Sequence, residues 1–156
     1  MKYKANWLLV YIEYTFSNDI FIMIKAIGTD IVEIDRFHSA LQRWGDRFIK
    51  RILTDDEIEY CLKKANHVES MAARFAAKEA VIKCLLPADQ QEFRWHDVKV
   101  LNHSSGKPYI MVLNRLADSL QNCDILVSLS HSEKSAVAIV LLQAKNGEAN
   151  GSDSHC

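Results

Sequence analysis

Arg74, Lys78, Glu79 and Lys83 fall within the single stretch RFAAKEAVIK, set among small and apolar residues at helical spacing. At about 100° per residue, Arg74 and Lys78 share one edge of such a helix and Glu79 and Lys83 the other, while Met71, Phe75 and Ile82 supply an apolar face. Two readings compete. Glu79 and Lys83 form an ordinary i,i+4 surface pair contributing about 0.3–0.5 kcal/mol, or the three cations and one carboxylate serve phosphate or metal chemistry.

Asp30 bears on that choice. It lies near the end of the β-rich run MIKAIGTDI, where a helical pattern takes over, a junction at which active-site groups project from sheets and at which Asp is also favoured simply as a helix N-cap. If Asp30 and Glu79 converge, they make a two-carboxylate site suited to Mg2+, with water and substrate phosphate completing the shell. Other segments are less specific. SSGKP holds one glycine and one lysine, short of a P-loop, and a hairpin turn is its default. His131 follows SLS at the end of an apolar strand, as a ligand-binding imidazole or a turn residue. Neither Ser128 nor Ser130 lies in a G-x-S-x-G elbow. Arg36, Arg43, Arg47, Lys50 and Arg51, opposed by Asp46 alone, form either a solvated helix face or a docking surface for an acidic protein. Nucleic acid fits less well, because no aromatic stacking platform accompanies the charge.

The elements that must position these residues are legible. After the strand ending near Asp30, Ile34, Phe37, Leu41 and Trp44 recur at three- and four-residue steps, the apolar face of an amphipathic helix. TDDE at Thr54 is a capping box, with Glu57 reaching back to the Thr54 amide, and opens a second helix. Ser70 is the expected N-cap of the alanine-rich helix, which ends before Pro87. DVKVL and YIMV, joined by NHSSGKP, read as one hairpin. NRLADSLQ reads as a short helix. DILVSLS and SAVAIVLL, joined by HSEK, read as a second hairpin, apolar enough to form the sheet centre. The order is that of an α+β domain rather than a βαβ repeat.

A chain of 156 residues, 49% hydrophobic and 25% charged, with a formal net charge of -1, suits one domain and argues against a protein whose main task is to neutralise polyphosphate. Its four cysteines show no C-x-x-C spacing, so neither a zinc ribbon nor a disulfide scaffold is suggested. Glu13, Asn18, Asp19 and Lys25 interrupt the apolar N-terminal stretch short of the ~20 residues a spanning helix needs, and no cleavage-site pattern follows a basic flank. No membrane association is expected. Residues 144–156 read as a polar, disordered tail.

Taken in order, GTDIVEIDR, RFIKRILTDDE, ARFAAKEAVIK, SGKPY and VSLSHSEKSAVAIV resemble the bacterial holo-acyl-carrier-protein synthases, small members of the 4'-phosphopantetheinyl transferase superfamily. The resemblance spans roughly Met23 to Leu142. It implies the superfamily's fold, an antiparallel sheet packed against a long helix and shorter helices, in a domain covering residues 23–143. It also implies a Mg2+-dependent transfer of phosphopantetheine from coenzyme A to a serine of apo acyl carrier protein, in cytoplasmic fatty acid biosynthesis. Asp30 and Glu79 are then the metal carboxylates, catalytic together with Lys83. Arg74, Lys78 and Lys83 contact coenzyme A phosphates, and Gly106, Lys107, Pro108, Ser130 and His131 line the same cleft. Arg36 and Arg47 dock the carrier protein, and the assembly is a homotrimer with sites between subunits. The same chemistry on a polyketide or peptide synthase carrier is an alternative, and a non-catalytic module binding an acidic protein is another. Two departures stand out. CLLPADQQEFRW replaces the glycine-rich turn usual after the helix lysine, and residues 1–22 extend upstream of Met23, where relatives begin; no catalytic group is expected there.

Overall fold

Alternating side chains build the sheet on which the rest of the chain rests. The computed structural model describes residues 23–145, so the expectations for residues 1–22 and for the tail beyond 145 lie outside the described residues. Strand β1, Ile24–Glu33, pairs antiparallel with β5, Ser135–Ala144, which also pairs with β4, Cys123–His131, in the order β1-β5-β4. A separate two-stranded hairpin joins β2, Val98–Asn102, to β3, Pro108–Val112. Both hairpins therefore form as the sequence pattern implies. Only β5 is central, however, and β4 lies at an edge.

The inner face of β5 carries Ala136, Ala138, Val140 and Leu142, all buried. Against it lies the alanine-rich helix α3, His67–Cys84, whose Ala76, Ala77 and Ala80 share a core cluster with Ala138, Val140 and Leu142. Small residues on both sides let helix and sheet approach closely. At Gly28 the approach is extreme: a Cβ there would sit 2.0 Å from the Ala80 carbonyl oxygen, so no side chain fits.

Two further helices close the other side of α3. Helix α1, Ile34–Ile52, is broken at Gly45, whose φ of 56° lies in the left-handed region that glycine adopts without penalty. The kink explains a difference from the expected apolar stripe. Ile34 and Phe37 are buried, but Trp44, at the break, is 54% exposed, resting on Phe48 and covered in part by the Arg43 guanidinium 5.3 Å from its ring. Helix α2, Asp55–Leu62, packs between α1 and α3. Helix α4, Pro87–Glu92, a 3-10 turn at Trp95–Asp97 and helix α5, Asn114–Ser119, complete the chain.

Several boundaries differ from those the sequence suggests. Strand β1 continues past Asp30 to Glu33, because residues 30–33 still find partners in β5; Asp30 is therefore no helix cap. Helix α3 starts at His67 rather than at Ser70, whose hydroxyl and carbonyl instead accept from Arg74. At the other end Ala144 closes β5, and the backbone N–H of Lys145 donates to Asn122 at 2.9 Å, so the first two residues of the expected disordered tail are part of the fold.

The most consequential correction concerns Lys78. It is fully buried, and its ammonium donates to Glu57 Oε2 at 2.8 Å, the Ile52 carbonyl at 2.8 Å and the Trp95 carbonyl at 3.0 Å. With all three protons used, Lys78 has nothing left for a coenzyme A phosphate. Burial holds its pKa below the ordinary lysine range, with Glu57 pulling the other way. Glu57 is equally buried and accepts from the Thr54 amide at 2.8 Å, the Thr54 hydroxyl at 2.9 Å and the Val100 amide at 2.9 Å. The capping box read from the sequence is present, and its glutamate also anchors the core. Replacing Lys78 by Met should cost about 3–5 kcal/mol, the scale for stranding one member of a buried pair. Urea unfolding would measure it, and adding Glu57→Gln should return part of the loss.

Candidate active site

With Arg74 and Lys78 turned inward, α3 presents only a narrow outward stripe: Phe75, Glu79 and Ile82 are half-buried and Lys83 is exposed. The stripe runs beside β1, and there the expected convergence occurs. Lys83 Nζ donates to the Thr29 carbonyl at 2.7 Å and to Asp30 Oδ1 at 2.9 Å. Lys83 thus pairs with Asp30 across 53 residues of sequence and not with its helical neighbour Glu79. The Glu79 carboxyl is held above the usual carboxylate range, first by burial and then by the Asp30 charge, with Lys83 opposing both.

Two carboxylates close enough to raise a pKa, flanked by one ammonium, are a donor set that fits a hard divalent cation retaining several water or phosphate ligands. Among the described residues no group of three or more His, Cys, Asp or Glu side chains surrounds a common point, so any such ion would draw the rest of its shell from solvent and substrate.

The other expected site residues lie elsewhere. Arg74 is 4% exposed; its Nη1 donates to the Ser70 hydroxyl at 2.9 Å and its Nη2 to Asn102 Oδ1 at 2.7 Å, and its guanidinium stacks 4.3 Å over the Tyr60 ring. Like Lys78, it serves internal partners in this chain, which corrects its expected role as a phosphate contact. Gly106, Lys107 and Pro108 form the tip of the β2–β3 hairpin near Asn102, where the Gly106 φ of 86° demands glycine. Ser130 and His131 are exposed at the end of β4. Ser130 pairs with Val137, which pairs with Ile31, so strand alternation places Ser130 on the sheet face opposite to Asp30. One chain therefore brings together Asp30, Glu79 and Lys83, and separates them from Ser130. Arg36 and Arg47 are exposed on α1.

Sequence reasoning missed Asn102, which bridges Arg74 to the hairpin tip; its one local signal is an Asn at a strand end before a glycine turn. It also missed Gln90, whose side chain donates to the Ile82 and Leu85 carbonyls at 3.1 and 3.0 Å, capping the end of α3.

The raised pKa of Glu79 has a defined sign. Between the ordinary value of 4.5 and the raised value, the folded chain keeps a proton that the unfolded chain has released. Ionising Glu79 therefore lowers stability as pH rises through that window. Asp30→Asn should bring the Glu79 titration down toward 4.5 and Lys83→Met should push it further up, as followed by carboxyl carbon NMR.

Comparison with known proteins bears on the family and the fold. Residues 26–140 match the profile of the 4'-phosphopantetheinyl transferase superfamily. The holo-[acyl-carrier-protein] synthase of Chlorobium phaeovibrioides is 44% identical over 76% of this chain and 94% of its own length. That of Koribacter versatilis is 43% identical over 78% and 99%. Among solved structures, a holo-(acyl-carrier-protein) synthase from Bacillus anthracis in complex with CoA (3',5'-ADP) superposes with a TM-score of 0.66 at 34% identity, covering 79% of this chain and 99% of that one. The Helicobacter pylori enzyme in complex with coenzyme A gives 0.64 at 29% identity, covering 75% and 99%. These likenesses establish that the chain belongs to the 4'-phosphopantetheinyl transferase superfamily, among the holo-[acyl-carrier-protein] synthases.

Proposed function

We propose that this chain transfers the 4'-phosphopantetheine arm of coenzyme A to a serine hydroxyl of apo acyl carrier protein, releasing adenosine 3',5'-bisphosphate, in cytoplasmic fatty acid biosynthesis. The observation that carries this reading is the convergence of Asp30, Glu79 and Lys83 at the β1 edge of α3. Asp30 and Glu79 would hold Mg2+, which when bound neutralises charge on the pyrophosphate and favours in-line displacement. Lys83 fixes the Asp30 carboxylate through its hydrogen bond and places one positive charge where phosphate oxygens would lie. Half-burial of Glu79 limits water around it, strengthening its electrostatic effect on whatever it faces.

The assembly we propose is a homotrimer. Ile27 and Ile31 of β1, Ile139 of β5 and Leu126 of β4 are all large, apolar and exposed, and strand alternation puts them on the sheet face away from α3. Such a contiguous apolar surface suits burial against further copies. Neighbouring copies would supply the Gly106–Pro108 tip, Ser130 and His131 to the Asp30 and Glu79 of the next. Carrier protein would dock on α1, where Arg36 and Arg47 are exposed and complement an acidic surface. Among the described residues no helix is long and apolar enough to cross a membrane.

Incubation of the protein with coenzyme A, Mg2+ and apo acyl carrier protein should add one phosphopantetheine to the carrier, read as an intact-mass gain. Glu79→Gln should slow it by about two orders of magnitude or more, the scale lost when a charge-stabilising group is removed. No gain with several carrier proteins would overturn the proposal. A chain beginning at Met23 should retain the activity, since residues 26–140 span the family match; its loss would assign residues 1–22 a role.

A further inference from the structure

Arg74 is buried and yet points at neither the Asp30–Glu79 pair nor solvent, and its Nη2 donates to Asn102 at the end of β2. Asn102 in turn donates from Nδ2 to the Gly106 carbonyl at 2.9 Å. The orientation of this amide is determined by its partners. Guanidinium offers only donors and a carbonyl only accepts, so Oδ1 must face Arg74 and Nδ2 must face Gly106.

The local backbone explains why a side chain is needed here. Asn102 stands opposite Pro108 in the ladder, and proline has no N–H to donate across it. Beyond that rung the tip is held by the His103 amide donating to Lys107 at 2.9 Å and the Gly106 amide donating to His103 at 2.8 Å, with the His103 and Tyr109 rings 4.4 Å apart. Among these contacts, the Asn102 amide links the tip to α3.

We propose that Asn102 is a positioning residue: it latches the Gly106–Lys107–Pro108 tip to the guanidinium of Arg74, which Ser70 and the Tyr60 ring hold in place. The inference rests on the reading above that this tip lies against coenzyme A. On that reading Arg74 acts on the donor substrate through Asn102 and the tip, not by touching a phosphate. The latch fixes the direction of the Lys107 side chain and the exposed tip amides before substrate arrives, which lowers the ordering cost of binding.

Asn102→Asp separates this role from a merely structural one. The carboxylate still accepts from Arg74, as an ion pair, but offers no donor to Gly106; Asn102→Ala removes both bonds. If Asn102 positions the tip, both variants should speed hydrogen exchange at the Gly106 and His103 amides by about tenfold, the scale of one lost hydrogen bond. Both should also raise KM for coenzyme A several-fold with kcat little altered. An Asp variant that exchanges like the native chain would show that Asn102 only satisfies Arg74, and would overturn the inference. So would faster exchange with KM unchanged. If the native chain itself transfers no phosphopantetheine, the functional reading falls separately, and the exchange measurement alone then decides whether the latch exists.

Discussion

The buried ion pair between Glu57 and Lys78 is the constraint on which the rest of this structure turns. Two charges with no exposed surface are tolerable in a protein interior only when every lone pair and proton around them is engaged. Here Lys78 gathers the end of α1, the start of α2 and the segment before β2, while Glu57 gathers the α2 cap and β2 itself. The pair also sets the rotation of α3 about its axis. A helix advances about 100° per residue, so committing Lys78 and Arg74 inward leaves Glu79 and Lys83 nowhere to go but the β1 side. The residue that holds the core and the residue that faces the candidate site are adjacent in sequence for that reason.

Close approach does the complementary task. Alanines on α3 and β5 and the bare Cα of Gly28 remove the side-chain layer that normally separates a helix from a sheet. Asp30, two residues beyond Gly28 on the same face of β1, is thereby carried to the α3 stripe. Lys83 then bonds the Thr29 carbonyl and the Asp30 carboxylate together, so Asp30 is placed by backbone proximity and held by one ammonium. Burial first, and then repulsion from Asp30, hold the Glu79 carboxyl above the usual carboxylate range. A cation would relieve that repulsion.

The outer sheet face and α1 remain outside this arrangement, and their composition suits recognition. Exposed isoleucines on β1 and β5 give a flat apolar surface, while the arginines of α1 and the exposed Trp44 at the Gly45 kink give a cationic surface with one aromatic projection. Each is chemically distinct from the acidic cluster that they would serve in the proposed assembly, where one face joins copies and the other meets an acidic carrier.

By itself the sequence determined the α+β order, both hairpins, the capping box at Thr54 and the acidic and basic residues of the family motifs, because these follow from periodicity, turn chemistry and short-range spacing. It also pointed to Asp30 and Glu79 as partners. Only the tertiary structure decided which charges are interior. Helical spacing placed Arg74 and Lys78 on one edge and Glu79 and Lys83 on the other, and nothing local says which edge faces the core. That depends on Glu57, 21 residues from Lys78, and on Asn102, 28 residues from Arg74. Local pattern fixes the angular positions of side chains on a helix, but burial depends on which distant donors and acceptors meet them, and that is a property of the folded chain.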